Sequence, residues 1–284
     1  MNSKLSLCLK ITNWCNLNCA HCCELSGPTR PKQFMPLAQM QNFITQFNQI
    51  EFPKTEYFVI GGGEAMAPFV FGNRDYIPQA LYMIYNAGGI PTIKTNATWG
   101  NSTDLRQNIL KDLARVVYST QIVTTLDISI DEFHNNLDGA ANVIADIVKS
   151  QYLAPAIRIS LVGFNTVASK TKLRQLREKL SHLGIMTYST NTENNDFAAI
   201  FGYSGIQIFT SFNTPIYKAG RAIETKTYTT GSNTGTPDSD GHCLVVDNAG
   251  NAILNYKFRE RIAGRDLDTV TRILMQKFYQ NKLK

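Results

Sequence analysis

Polar and apolar residues alternate from the start of the chain. Leu5, Leu7, Leu9 and Ile11 fall on one face, and Ser6, Cys8 and Lys10 fall on the other. That period of two predicts a strand. A loop rich in cysteine follows. Pro36 then sits where a helix would begin, and Leu37, Met40, Phe43, Ile44 and Phe47 share one helical face. Residues 57–60 form a short apolar run that leads into Gly61-Gly62-Gly63-Glu64. Tyr76, Ala80, Leu81 and Ile84 mark a second helix, stopped by Gly88.

The same βα rhythm continues. Strands are predicted at 91–96, 124–131, 157–162 and 185–190. Between them lie helices at 102–116, around Ala140, Val143, Ile144 and Ile147, and from a cap at Ser169 to Gly184. Repeated βα units imply a parallel sheet. A parallel sheet buried on both faces should read as unbroken apolar runs. Here one face stays polar: Thr92, Lys94 and Asn96; Asp127, Ser129 and Asp131; Arg158 and Ser160. The expectation is an α/β fold, a partial (β/α)6 barrel whose polar residues line its interior. It should occupy residues 1–192. From 193 to 284 the rhythm changes, with a Thr/Ser/Gly/Asp-rich stretch at 225–241, a turn at Asp247-Asn248-Ala249-Gly250-Asn251, and an amphipathic helix through Leu267, Val270, Ile273, Leu274 and Phe278. This part is expected to be a smaller α+β C-terminal cap, with the stretch at 225–241 as its lid.

Composition excludes several classes. With 43% apolar and 18% charged residues the chain can build a sizeable core and is not of the disordered type. No long apolar run predicts a leader or a membrane span, so the expected location is cytoplasmic. The net charge of +6 gathers at Arg261, Arg265, Arg272, Lys277, Lys282 and Lys284. A solvated helix face accounts for this better than a nucleic-acid surface.

Four of the six cysteines lie within nine residues. In a leaderless chain this density points to metal ligation by reduced thiols, not to disulfides. Cys15, Cys19 and Cys22 form C-x₃-C-x₂-C. Zinc and iron–sulfur sites usually take four protein ligands, and His21 and Cys23 are the candidates for the fourth. The spacing alone leaves the metal open. Cys8, in mid-strand, reads as a small buried residue.

Cys15-x₃-Cys19-x₂-Cys22 resembles the signature of the radical S-adenosylmethionine (radical SAM) superfamily. The resemblance implies that the three cysteines hold one [4Fe–4S] cluster whose fourth iron binds S-adenosylmethionine (AdoMet), with His21 beside the adenine. Gly62-Gly63-Glu64 resembles the element that holds the methionine amino group: glycines permit close backbone approach, and a carboxylate accepts bonds from an ammonium. Thr95-Asn96 and Ser129-Ile130-Asp131 resemble segments that contact the ribose and the methionine carboxylate. They end strands, where β/α barrels place functional residues. Arg158 is a candidate for the carboxylate too, or for an ion pair with Asp127. His134 is a candidate catalytic residue in proton transfer, or a plain loop histidine.

Tyr217-Lys218-Ala219-Gly220-Arg221-Ala222 and His242 to Asn251 weakly resemble a SPASM extension. Cys243 is the only cysteine after Cys23, so no auxiliary cluster is expected. The resemblance implies reductive cleavage of AdoMet and hydrogen abstraction from a peptide or small-molecule substrate, with electrons from an external donor such as flavodoxin or ferredoxin. With the cluster loop opening at residue 15, no N-terminal peptide-recognition domain is expected, which argues against a leader-peptide substrate. Glycyl-radical activation and RNA modification are the alternatives within the family. A zinc-binding or electron-transfer module is the alternative outside it.

Overall fold

A computed structural model describes residues 4–121, 123–191, 196–211, 241–254, 258–262 and 265–282. In chain order the elements are β1 (Lys4–Thr12), α1 (Leu37–Gln49), β2 (Lys54–Gly62), α2 (Ala67–Val70), α3 (Tyr76–Asn86), β3 (Ile90–Thr95), a 3-10 turn (Thr98–Asn101) and α4 (Thr103–Thr120). There follow β4 (Thr124–Ser129), α5 (Leu137–Lys149), β5 (Ile157–Val162), α6 (Val167–His182), β6 (Met186–Asn191), β7 (Asp196–Phe201) and β8 (Ser204–Ser211). The described chain ends with β9 (Gly241–Asp247), β10 (Asn251–Leu254), β11 (Phe258–Arg261) and α7 (Leu267–Lys282). The architecture is α/β, as the alternating pattern predicts. Residues 217–222 and most of the 225–241 stretch lie outside the described residues. Among the described residues no helix is long and apolar enough to cross a membrane.

The chain forms two compact units. One gathers residues 1–65, 83–91 and 215–284. Its strands run β11-β10-β9-β1-β2, with β1 parallel to both β2 and β9. Leu5, Leu7, Leu9 and Ile11 are fully buried, as their alternation requires. Phe47 of α1 meets Phe58 of β2 edge-on at 5.4 Å. The predicted turn at 247–251 joins β9 to β10: Asp247 Oδ1 accepts from the amides of Ala249 and Asn251 at 3.0 and 2.9 Å. Gly250 supplies the left-handed residue there, with φ +78°. His242 is a core residue, its ring 4.8 Å from that of Phe278 on α7.

The other unit gathers residues 66–82 and 92–214, with strand order β3-β4-β5-β8-β7-β6. Burial along β4 alternates strictly: Thr124, Leu126 and Ile128 are buried, and Thr125, Asp127 and Ser129 are partly exposed. One expectation is corrected here. The sixth strand in sequence does not pair with β5; β8 lies parallel to β5 instead, matching Ile159 with Ile208. The reason is polarity. β6 carries Thr187, Ser189 and Thr190 and suits a sheet edge, while β8 brings the buried Ile206 and Ile208. A second correction concerns α6, whose cap is Thr166 and not Ser169. The Thr166 hydroxyl accepts from the Ser169 amide at 3.0 Å.

Candidate metal and cofactor site

The cysteine loop, residues 13–28, starts where β1 ends and is closed at its base. Trp14 pairs with Gly27 in a parallel bridge, and the Cys15 amide donates to the Gly27 carbonyl at 3.3 Å. Within the loop the Cys22 amide donates to Cys19 O at 3.2 Å, and Leu17 N approaches Cys15 Sγ at 3.4 Å. Such closure fixes where the three thiols can point. Burial first, then the Glu64 carboxylate and, more weakly, Cys19 and Cys22 together push the Cys15 thiol up to about 12, against the lowering effect of the Leu17 amide. The three sulfurs and Glu64 are therefore electrostatic neighbours. Cys23 is pushed well up by burial and then by Glu24, in surroundings that also include Cys22 and Lys10. The six cysteines form no disulfide. His21 is half-buried in the same loop.

The glycine turn packs directly on the base of this loop. The Gly63 amide donates to Thr12 O at 2.7 Å and the Glu64 amide to Trp14 O at 2.9 Å. A methyl group on Gly62 would lie 2.4 Å from Thr12 O, and one on Gly63 would lie 1.8 Å from Trp14 O. The close approach that these glycines allow is thus first to the chain's own backbone. Glu64 follows them and is buried, with 2% exposure.

In the other unit, the ends of β3 and β4 are tied by one residue that the sequence reading missed. Asn136, just before α5, donates from Nδ2 to the carbonyl oxygens of Asn96 and Ser129 at 2.5 and 2.7 Å. Glycines again make the close fit: a methyl on Gly139 would lie 2.3 Å from Ala97 O. Thr95 Oγ1 accepts from the Ala97 amide and from Trp99 Nε1, at 2.9 and 3.0 Å. Asn96 Oδ1 accepts from the Thr98 amide and hydroxyl at 3.0 and 2.6 Å. Both candidate side chains are held in fixed rotamers by these bonds.

Asp131 and His134 form a second tight arrangement. His134 Nδ1 lies 2.8 Å from each carboxylate oxygen of Asp131. A carboxylate only accepts, so Nδ1 carries the proton. The Phe133 amide also donates to Asp131 Oδ1, at 2.9 Å. Neighbouring bonds anchor the segment to α6: Glu132 accepts from the hydroxyls of Thr166 and Ser169, and Lys172 donates to His134 O. Arg158 stands apart. It is exposed near the start of β5, in register with Thr125, whereas Ser129 pairs with Val162 at the other end. Asp127, raised by burial, has Lys94 and Ser160 as its partners.

No family model matches the chain, and neither does any curated protein. Solved structures of AdoMet-bound proteins do resemble it. Native anSMEcpe with bound AdoMet is 14% identical over 93% of this chain and 79% of that one, with a TM-score of 0.49. Native anSMEcpe with bound AdoMet and Cp18Cys peptide is 16% identical over 63% of this chain, with a TM-score of 0.40. BtrN in complex with AdoMet and 2-DOIA is 13% identical over 59% of this chain, with a TM-score of 0.36. The chain spans 48% of the peptide-bound anSMEcpe and 61% of BtrN.

The donor set itself fits one site-differentiated iron–sulfur cluster. Three mutually interacting thiols lie in one closed loop, with a buried carboxylate beside Cys15. Burial above all, and then the Glu64 carboxylate and the two other thiols, disfavour a thiolate at Cys15, so it holds its proton in the bare loop. A bound cation reverses that logic.

Proposed function

We propose that the chain is a radical SAM enzyme that acts on a peptide or small molecule. One observation carries this reading: Cys15, Cys19, Cys22 and the buried Glu64 act on one another at the base of a closed loop. Cys15, Cys19 and Cys22 would hold a [4Fe–4S] cluster, leaving an iron for AdoMet. When bound, this pair of cofactors supplies reductive cleavage of AdoMet to methionine and a 5′-deoxyadenosyl radical able to abstract hydrogen.

The protein's part is placement. Glu64 offers a fixed carboxylate to the methionine ammonium. By the resemblance, Thr95, Asn96, Ser129 and Asp131 are the candidates for the ribose and carboxylate. The bonds that fix the Thr95, Asn96 and Asp131 side chains support the reading, because a positioned cofactor needs a shell that does not relax. The adenine would lie near His21. An external donor such as flavodoxin or ferredoxin would supply the electron, and a cytoplasmic location would keep the thiols reduced. The resemblance of residues 217–222 and 242–251 to a SPASM extension favours a tailoring reaction over glycyl-radical activation.

Anaerobic reconstitution with iron and sulfide tests the proposal. About four irons per chain are expected, together with 5′-deoxyadenosine formation on reduction with AdoMet. Cys19→Ala should abolish both. One tightly held zinc per chain, with no iron uptake, would overturn the reading.

A further inference from the structure

We infer that Lys10 is a positioning residue that clamps the cysteine loop to the strand beneath the glycine turn. Its place is unusual for a lysine. It lies inside β1 with 5% exposure, in register with Gly61 on β2 and Asp247 on β9. On the same face below it lies an apolar floor of Cys8, Val59, Val245 and Ile253. The aliphatic stem continues this floor, as long amphipathic side chains do. Burying the ammonium is unfavourable unless it is paired. The partner is Glu24, two residues after Cys22, and both side chains are largely buried, at 6% and 12% exposure.

The stem also supports the other half of the site. A methyl group on Gly62 would lie 2.9 Å from Lys10 Cγ. One side chain therefore touches the glycine turn with its stem and grips the cysteine loop with its head. The loop has no helix or strand of its own between Trp14 and Gly27, and the ion pair ties this irregular stretch to β1. The Lys10–Glu24 pair holds the loop in place before any metal binds. The clamp itself does not depend on which metal the loop takes; its value for cluster assembly rests on the radical SAM reading.

Hydrogen exchange on the full-length, metal-free chain tests the clamp. Lys10→Met keeps the stem and removes the charge, and Glu24→Gln removes the other partner. Each should raise exchange at residues 16–25 by at least about tenfold, because each leaves one buried charge alone. Amides of β4 should be unchanged. The double variant Lys10→Met with Glu24→Met should exchange more slowly in the loop than either single variant, since no lone charge is left. After reconstitution, both single variants should lose iron to a chelator faster than the native chain. Unchanged loop exchange in both single variants would overturn the clamp. So would equal loosening of β4, or a double variant looser than the singles. If the loop loosens as expected but no iron ever binds, the clamp stands and the radical SAM reading falls. If four irons bind and the loop does not loosen, the clamp alone falls.

Discussion

The amide of Glu64 donates to the carbonyl oxygen of Trp14, so the residue that ends the glycine turn is bonded to the residue that opens the cysteine loop. The bond is possible because Gly63 has no side chain. Its Cβ would fall 1.8 Å from that same carbonyl. Gly63→Ala must therefore push β2 away from the loop base. The variant should lose roughly 2 kcal/mol or more of unfolding free energy, the scale of an overpacked backbone contact. Urea unfolding of the metal-free chain measures this. Reconstituted iron should fall as well. A variant with native stability would show that the turn and the loop are not coupled.

Asn136 invites a similar test in the other unit. Its amide nitrogen serves two carbonyls that end neighbouring strands. Asn136→Ala leaves both without that donor, and the expected cost is about 2 kcal/mol. Asn136→Asp should do no better, because a carboxylate cannot donate. Chemical denaturation separates the outcomes: a stable Asp variant would mean that the amide's donor role is not what joins β3 to β4.

The contrast between these residues shows what the sequence discloses. The elements were legible because period-two and period-3.6 patterns report burial directly, as with Leu5, Leu7, Leu9 and Ile11 or Met40, Phe43, Ile44 and Phe47. The metal-ligand candidates were legible because three thiols at short spacing can converge without help from the rest of the fold. Pairings between distant residues were not. Nothing local in Ser204–Ser211 says that it, and not Met186–Asn191, lies beside β5. Asn136 stands at a helix entry, and its two acceptors are 40 and 7 positions away. Lys10 did leave a signal, a lysine on a strand expected to be buried, but its partner in the cysteine loop could not be read from spacing.

Asp131 and His134 should behave as a unit. The carboxylate fixes the Nδ1-protonated ring and also accepts from the Phe133 amide. In Asp131→Asn one carboxylate oxygen becomes an NH2 group, which meets His134 Nδ1 as a donor where an acceptor stood. The ring should shift towards the Nε2-protonated tautomer, at a cost of about 1 kcal/mol in stability. Nitrogen NMR of the imidazole reads the tautomer. If His134 takes part in proton transfer, His134→Gln should slow product formation while leaving iron content unchanged. Native turnover in that variant would return His134 to a structural role.

The thiol of Cys15 makes a prediction about pH. In the folded, metal-free chain it keeps its proton up to about 12, against an ordinary thiol value of 9.0. Between those values the folded state holds a proton that the unfolded chain has released. Stability must then fall as pH rises above 9.0, and the buried Cys23 thiol pushes in the same direction. Below that value the thiol contributes no slope, since both states are protonated. Urea midpoints of the metal-free chain at about pH 8 and about pH 10 should therefore differ, with the lower midpoint at the higher pH. Cys15→Ser should shrink the difference, because a serine hydroxyl does not titrate in this range. Loading with iron and sulfide should also flatten it, since a metal-bound thiolate has already lost its proton. A midpoint that rises with pH in the metal-free chain would mean that Cys15 is not buried beside Glu64.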